Sequence, residues 1–176
     1  MVKIIDSLVE YMLAARDAKL PEKVIQKGKS HLLDSLAAIV SGSTLKPGKL
    51  GLQHARQQGG REECSVLGSN LKTTPILAAF ANGMSGHADE TDDSNSQLHP
   101  GCAIVPAALA LGEEANASGA DLVAAVCVGL EVFERLASSG RQHDPELRRR
   151  GFHPTSVYGC AAAAAGSPSS SCGTTR

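Results

Sequence analysis

The stretch TTPILAAFANGMSGHA, residues 73–88, limits the folds open to this chain more than any other. A threonine cap and a first-turn proline, Pro75, start a helix there, and Ala78, Ala79, Ala81, Gly83, Ser85 and Gly86 leave it with little side-chain bulk. A second helix backbone can approach such a surface closely. Only 3% of residues are aromatic and none is Trp, so a core must be built from Leu, Val, Ile and Ala. No segment sustains the apolar-polar alternation of a half-buried strand, and nothing repeats at a fixed period. Together these features predict an all-α, multi-helix bundle, in a chain whose 176 residues suffice for one domain with a real core.

Helical spacing recurs along the chain. Ile4, Ile5, Leu8, Val9, Met12 and Leu13 form one apolar stripe. A second helix is expected to open at Pro21 and close at Gly42, with Val24, Ile25, Leu32, Leu36, Ile39 and Val40 on a face. Residues 43–62 hold one short helical candidate, and CSVLGS reads as a brief strand or an extended segment. AIVPAALALGEEANA resumes a helix, with Pro106 expected near its first turn. Ser118 and Asp121 have the spacing of a capping box that starts a helix running to about Ala137, apolar enough to be central. SSGRQHDPELRRRG is a polar break, after which FHPTSVYGCAAAAAG leads into a last helix.

Seventeen basic and eighteen acidic residues leave a net charge of -1, so nothing draws the chain toward nucleic acid or a membrane surface. A small-molecule or protein partner is the expectation. The five cysteines are odd in number and irregularly spaced, which argues against a zinc site, an iron-sulfur cluster or a disulfide framework, and for a reducing compartment. The N-terminus carries Asp6, Glu10 and Asp17 and lacks the apolar core of a signal peptide, and the longest apolar run is LVAAVCVGL. A cytoplasmic protein is expected. The final stretch, GSPSSSCGTTR, changes composition abruptly; residues 167–176 are read as a disordered or out-of-frame tail to a partial domain over residues 1–166.

The densest chemistry lies in HADETDDSNSQLHPG, residues 87–101, with two histidines and four carboxylates. Acidic loops also arise simply because Asp, Ser and Asn bond the local backbone. Two histidine segments share a form, LHPG at His99 and FHPT at His153. In each, the proline holds the histidine extended at a helix entrance, so the imidazole projects between helices and can exchange protons near neutral pH. His87, Asp89, Glu90, Asp92, Asp93 and His99 also form a conceivable metal-ligand set, but no H-x-x-x-H or H-E-x-x-H spacing places two imidazoles on one helix face, and no metal is expected. Arg148, Arg149 and Arg150 are read as a solvated basic face that could also clamp a carboxylate substrate.

The ordered series NGMSGHADETDDS, HPG, SGADLVAAVCVGLEVFERL and GFHPTSVYGCAAAAAG, preceded by KSHLLDSLAAIVSG, resembles the MmgE/PrpD family, which includes 2-methylcitrate dehydratase and cis-aconitate decarboxylase. The resemblance covers nearly all of residues 1–166. It implies a largely helical domain, an α/β lid domain further along, homodimers, and cofactor-free, metal-independent chemistry on small polycarboxylates. It further implies that His99 and His153 are active-site residues. Aligned on Asp92 and Asp93, Glu90 takes the family's carboxylate position with Asp89 beside it, and Ser94 stands where a threonine is usual. The resulting expectation is catalysis by His99, His153, Glu90 and Asp89, with Asp93 and Ser94 binding substrate.

Dehydrating a citrate-like acid needs a base for a carbon-bound proton, an acid for the departing hydroxyl, and cations for the carboxylates. His99 and His153 suit the first two roles. The leading expectation is therefore a lyase that dehydrates 2-methylcitrate or a related polycarboxylate, impaired because the chain looks truncated. An epimerase of a substituted succinate and a non-catalytic helical dimerisation fragment are the alternatives.

Overall fold

The computed structural model describes residues 3–94 and 98–168. Most of the expected tail, residues 169–176, lies outside that set. Eight α-helices are present among the described residues: α1 (Ile4–Asp17), α2 (Glu22–Gly42), α3 (Lys46–Gln58), α4 (Pro75–Gly86), α5 (Gly101–Glu114), α6 (Gly119–Gly140), α7 (Asp144–Arg149) and α8 (Pro154–Ala165). A short antiparallel ladder pairs β1 (Cys64–Ser65) with β2 (Lys72–Thr73) in the register Cys64 to Thr73. The chain is thus an all-α bundle with one small hairpin, and CSVLGS takes the strand reading.

The small-residue helix does what its composition predicts. α4 packs against α5, α3 and α2 at once. A Cβ at Gly42 would collide with the Ser85 carbonyl, so the α2–α4 crossing tolerates no side chain there. Beside this contact, Ile39 of α2, Val105 and Ala108 of α5 and Val126 of α6 form one buried cluster. A second joins Leu98, Ile104, Phe133, Ala137, Tyr158 and Ala162. α6 is central, as its apolar interior requires, and touches α8, α2, α5 and α1. Its capping box forms: the Ser118 hydroxyl accepts from the Asp121 backbone N–H, and the Asp121 carboxylate accepts from the Ser118 N–H.

Three local readings change. Pro106 lies inside α5 rather than near its start, because the helix already begins at Gly101 behind Pro100. The polar break contains a 3-10 turn, Arg141–His143, and α7, whose Pro145 sits in its first turn with acidic residues before basic ones. The α1 stripe is only partly covered: Ile5, Val9 and Leu13 remain exposed, while Tyr11 lies under Arg135 of α6 at 4.7 Å. No helix among the described residues is long and apolar enough to cross a membrane.

Candidate functional site

The acidic loop connects α4 to α5, and the close packing of those two helices returns the chain almost to its starting point. His87 caps the C-terminus of α4, and its Nδ1 lies 3.1 Å from Asp92 Oδ1. From the other side, His99 Nδ1 lies 3.2 Å from the same oxygen, but without hydrogen-bond geometry. Asp92 is 4% exposed, and its second oxygen, Oδ2, has no partner. His153 joins from the entrance of α8, extended at φ -89° and ψ 122° as a residue before proline should be. Its ring centroid is 6.4 Å from that of His87, and the His87 and His99 centroids are 4.9 Å apart. The two His-Pro segments are joined directly, since the His99 backbone N–H donates to Thr155 Oγ1 at 3.2 Å.

Asp93 faces the opposite way and anchors the loop. Its Oδ1 accepts from the Gly101 N–H at 2.8 Å, and its Oδ2 lies 2.9 Å from His31 Nδ1 on α2. A Cβ at Gly101 would run into both Asp93 and Ser35, so glycine is the residue that lets α5 start against this carboxylate. The anchor fixes Pro100, and with it His99.

Charge in the site is unevenly distributed. Although exposed, His153 is held below the ordinary histidine value, by partial desolvation first and then by Arg148, with smaller contributions from His87 and His99 that Glu90 partly offsets. A neutral imidazole there is ready to accept a proton at pH 7. The Cys102 thiol is pushed up to about 12 by burial and by the nearby Asp92 and Asp93 charges, so it stays protonated and is no nucleophile. Of the arginine run, Arg149 and Arg150 contact Glu146 at 2.7 Å and 3.0 Å, which leaves Arg148 as the member whose charge reaches His153. An open apolar groove of about 440 Å³ borders the cluster, lined in part by Phe80, Met84, His87, Cys102 and Pro106.

The structure sets both His99 and His153 beside the His87 ring, and holds the Asp93 side chain in the anchor. Asp89 and Ser94 are exposed on the loop; Asp89 accepts a hydrogen bond from the Thr91 hydroxyl at 2.8 Å. Glu90 is also exposed, with a left-handed backbone at φ 57°, and reaches His153 only through its charge. The sequence offers His87 as a conceivable ligand and Asp92 as a ligand or a loop-holding carboxylate, and it gives no role to His31. No motif marks His31, which sits in a lysine-rich turn of α2 and meets Asp93 across 62 residues.

The loops of this helical domain thus set His87 and His99 against a buried carboxylate, with His153 beside His87. The MmgE/PrpD N-terminal domain profile matches residues 6–169, and the chain belongs to that family. It is 33% identical to human cis-aconitate decarboxylase over 152 residues, which is 83% of this chain and 31% of that protein. The cis-aconitate decarboxylase-like protein oryM of Aspergillus oryzae is 31% identical over 169 residues, 91% of this chain and 35% of its own length. Mouse cis-aconitate decarboxylase is 31% identical over 152 residues. The chain therefore spans about a third of the length of these relatives.

Proposed function

We propose that this chain is the helical portion of an acid-base lyase for small tricarboxylates, with decarboxylation of a cis-aconitate-like substrate as the preferred reaction. The observation that carries the reading is the meeting of His87 and His99 on buried Asp92, with the His153 ring beside His87. The relatives' names favour decarboxylation over the other reactions such a site permits.

In that reaction the bond to the departing carboxylate breaks and its electron pair forms a new double bond. The electrons of the old double bond then take up a proton at the far alkene carbon. One protonated imidazole must deliver this proton and be reprotonated from solvent before the next turnover; the departing carboxylate is already ionised and needs no base. His99, whose backbone is held by Thr155 and whose ring lies 3.2 Å from the Asp92 carboxylate, suits the delivering role, and His153, with its lowered proton affinity, would act as the base where a proton is instead taken from carbon. Arg148 supplies positive charge for a substrate carboxylate. Dehydration of 2-methylcitrate would use the same two positions, with the proton taken from carbon and water as the leaving group.

The test is cis-aconitate and 2-methylcitrate added separately to the ¹⁵N-labelled chain. Cis-aconitate should perturb the His87, His99 and His153 ring resonances, and the perturbation should vanish in His99→Ala. Labelled carbon dioxide from cis-aconitate would support decarboxylation, whereas water loss from 2-methylcitrate would favour the second reaction. Histidine spectra unmoved by millimolar concentrations of either acid would refute the assignment.

A further inference from the structure

We propose that His87, Asp92 and His99 also form a binding site for a late first-row divalent cation, with zinc(II) as the type ligand. Their ligand atoms, two imidazole nitrogens and a carboxylate oxygen, all lie within 4.8 Å of one another. Asp92 Oδ1 stands 3.1 Å from one Nδ1 and 3.2 Å from the other. A tetrahedral ion with bonds of 2.0 to 2.1 Å separates its ligands by about 3.3 Å, so the two aspartate–histidine separations need only open slightly, while the two imidazole nitrogens, within 4.8 Å of each other, draw in to admit it. Helix periodicity does not create this arrangement. The α4–α5 turn places the two histidines on either side of the aspartate, where no i, i+4 motif could announce them.

A second observation points to a cation. Asp92 Oδ2 and His99 Nδ1 are both buried without a hydrogen-bond partner, although Asp92 is 4% exposed and His99 Nδ1 faces a carboxylate oxygen. Buried polar atoms are ordinarily satisfied, and a divalent ion would take up both the excess negative charge and the idle nitrogen. Two imidazoles with one carboxylate suit zinc, cobalt(II) or nickel(II), whereas calcium and magnesium prefer six or more oxygens. The backbone that carries the ligands is held in place, with the His99 backbone N–H on Thr155 Oγ1 and Asp93, next to Asp92, held by Gly101 and His31. Three protein ligands leave one position open on the ion.

If the acid-base reading above holds, this ion is an inhibitor, because it occupies nitrogen lone pairs that proton transfer needs. Binding itself does not depend on that reading. The experiment uses the untagged chain after treatment with chelator, and the metal alone as probe. Cobalt(II) should give visible bands of a tetrahedral site, and zinc should displace it at one ion per chain. Zinc should shift the side-chain nitrogen signals of His87 and His99 and leave those of His54 and His143 in place. His99→Gln and His87→Gln should each weaken zinc binding by at least about tenfold, while Cys160→Ser leaves it unchanged. Absence of stoichiometric zinc binding at micromolar metal, or zinc shifts confined to other histidines, overturns the proposal even if a variant misfolds. Loss of cis-aconitate binding by the metal-free chain would instead count against the lyase reading alone.

Discussion

Replacing Asp93 with alanine tests whether the anchor holds the site together. The substitution removes two interactions of unequal weight. Gly101 is buried, so its N–H loses the 2.8 Å acceptor with no water to replace it, and an orphaned buried donor costs about 1 to 3 kcal/mol. The His31 side chain is 27% exposed, which places its pair with Asp93 nearer the surface range of about 0.5 to 1 kcal/mol. The expected total is about 2 to 4 kcal/mol, a large share of a typical domain's stability. With a urea m-value of roughly 2 kcal/mol per molar, the unfolding midpoint should fall by about 1 to 2 M. Asp93→Asn keeps an acceptor for Gly101 and should lose about half as much. His31→Ala should cost less than 1 kcal/mol. Equilibrium unfolding followed by circular dichroism gives all three values. A cost below about 0.5 kcal/mol for Asp93→Ala, or a His31→Ala as damaging as Asp93→Ala, would refute the assignment of the load to Gly101.

Three further outcomes follow from the geometry. Tyr158→Phe removes the 2.7 Å bond from the phenol to Asp144 that ties α8 to α7, and should lower stability by about 1 to 2 kcal/mol, read as a fall of several degrees in Tm. In a histidine NMR titration, His153 should titrate below its ordinary value and move upward in Arg148→Gln; a downward move would contradict the charge assignment. Because folded His153 binds its proton less tightly than the unfolded chain, it should add to stability as pH rises from its native pKa toward about 6.5, a slope that His153→Gln abolishes. Iodoacetamide at pH 8 should label exposed Cys160 while Cys102, with its thiol pushed up to about 12, reacts about a thousandfold more slowly than an ordinary thiol; peptide mapping showing equal labelling would contradict its burial.

The elements that the sequence exposes most clearly are those whose signals are local. The Ser118–Asp121 cap, the small face of α4 and the extended conformation of His153 before proline each depend on neighbours within a few residues, and all are realised. α7 escapes because six residues give too little apolar periodicity to register, and Pro106 misleads because a proline inside a helix looks like one at its start. In the site, the His-Pro pairs reveal His99 and His153. Which carboxylates turn inward is a different matter. Asp89, Glu90, Asp92 and Asp93 are indistinguishable as letters, and only the return of α5 along α4 buries Asp92 and covers the Asp93 side chain while leaving the first two in solvent. His31 is invisible for the same reason, since its partner arrives from a distant part of the chain.

The bond from the His99 N–H to Thr155 also sets the order in which the cluster can come into being, because it closes a span of 56 residues. Closing so long a loop has an entropic cost before any contact rewards it, so this contact is expected late in folding. During synthesis, the His87–Asp92 pair can form as soon as the α4–α5 loop has left the ribosome. His99 gains its backbone bond to Thr155 only when α8 has emerged and docked, so His153 and the support for His99 arrive together in one step rather than by degrees.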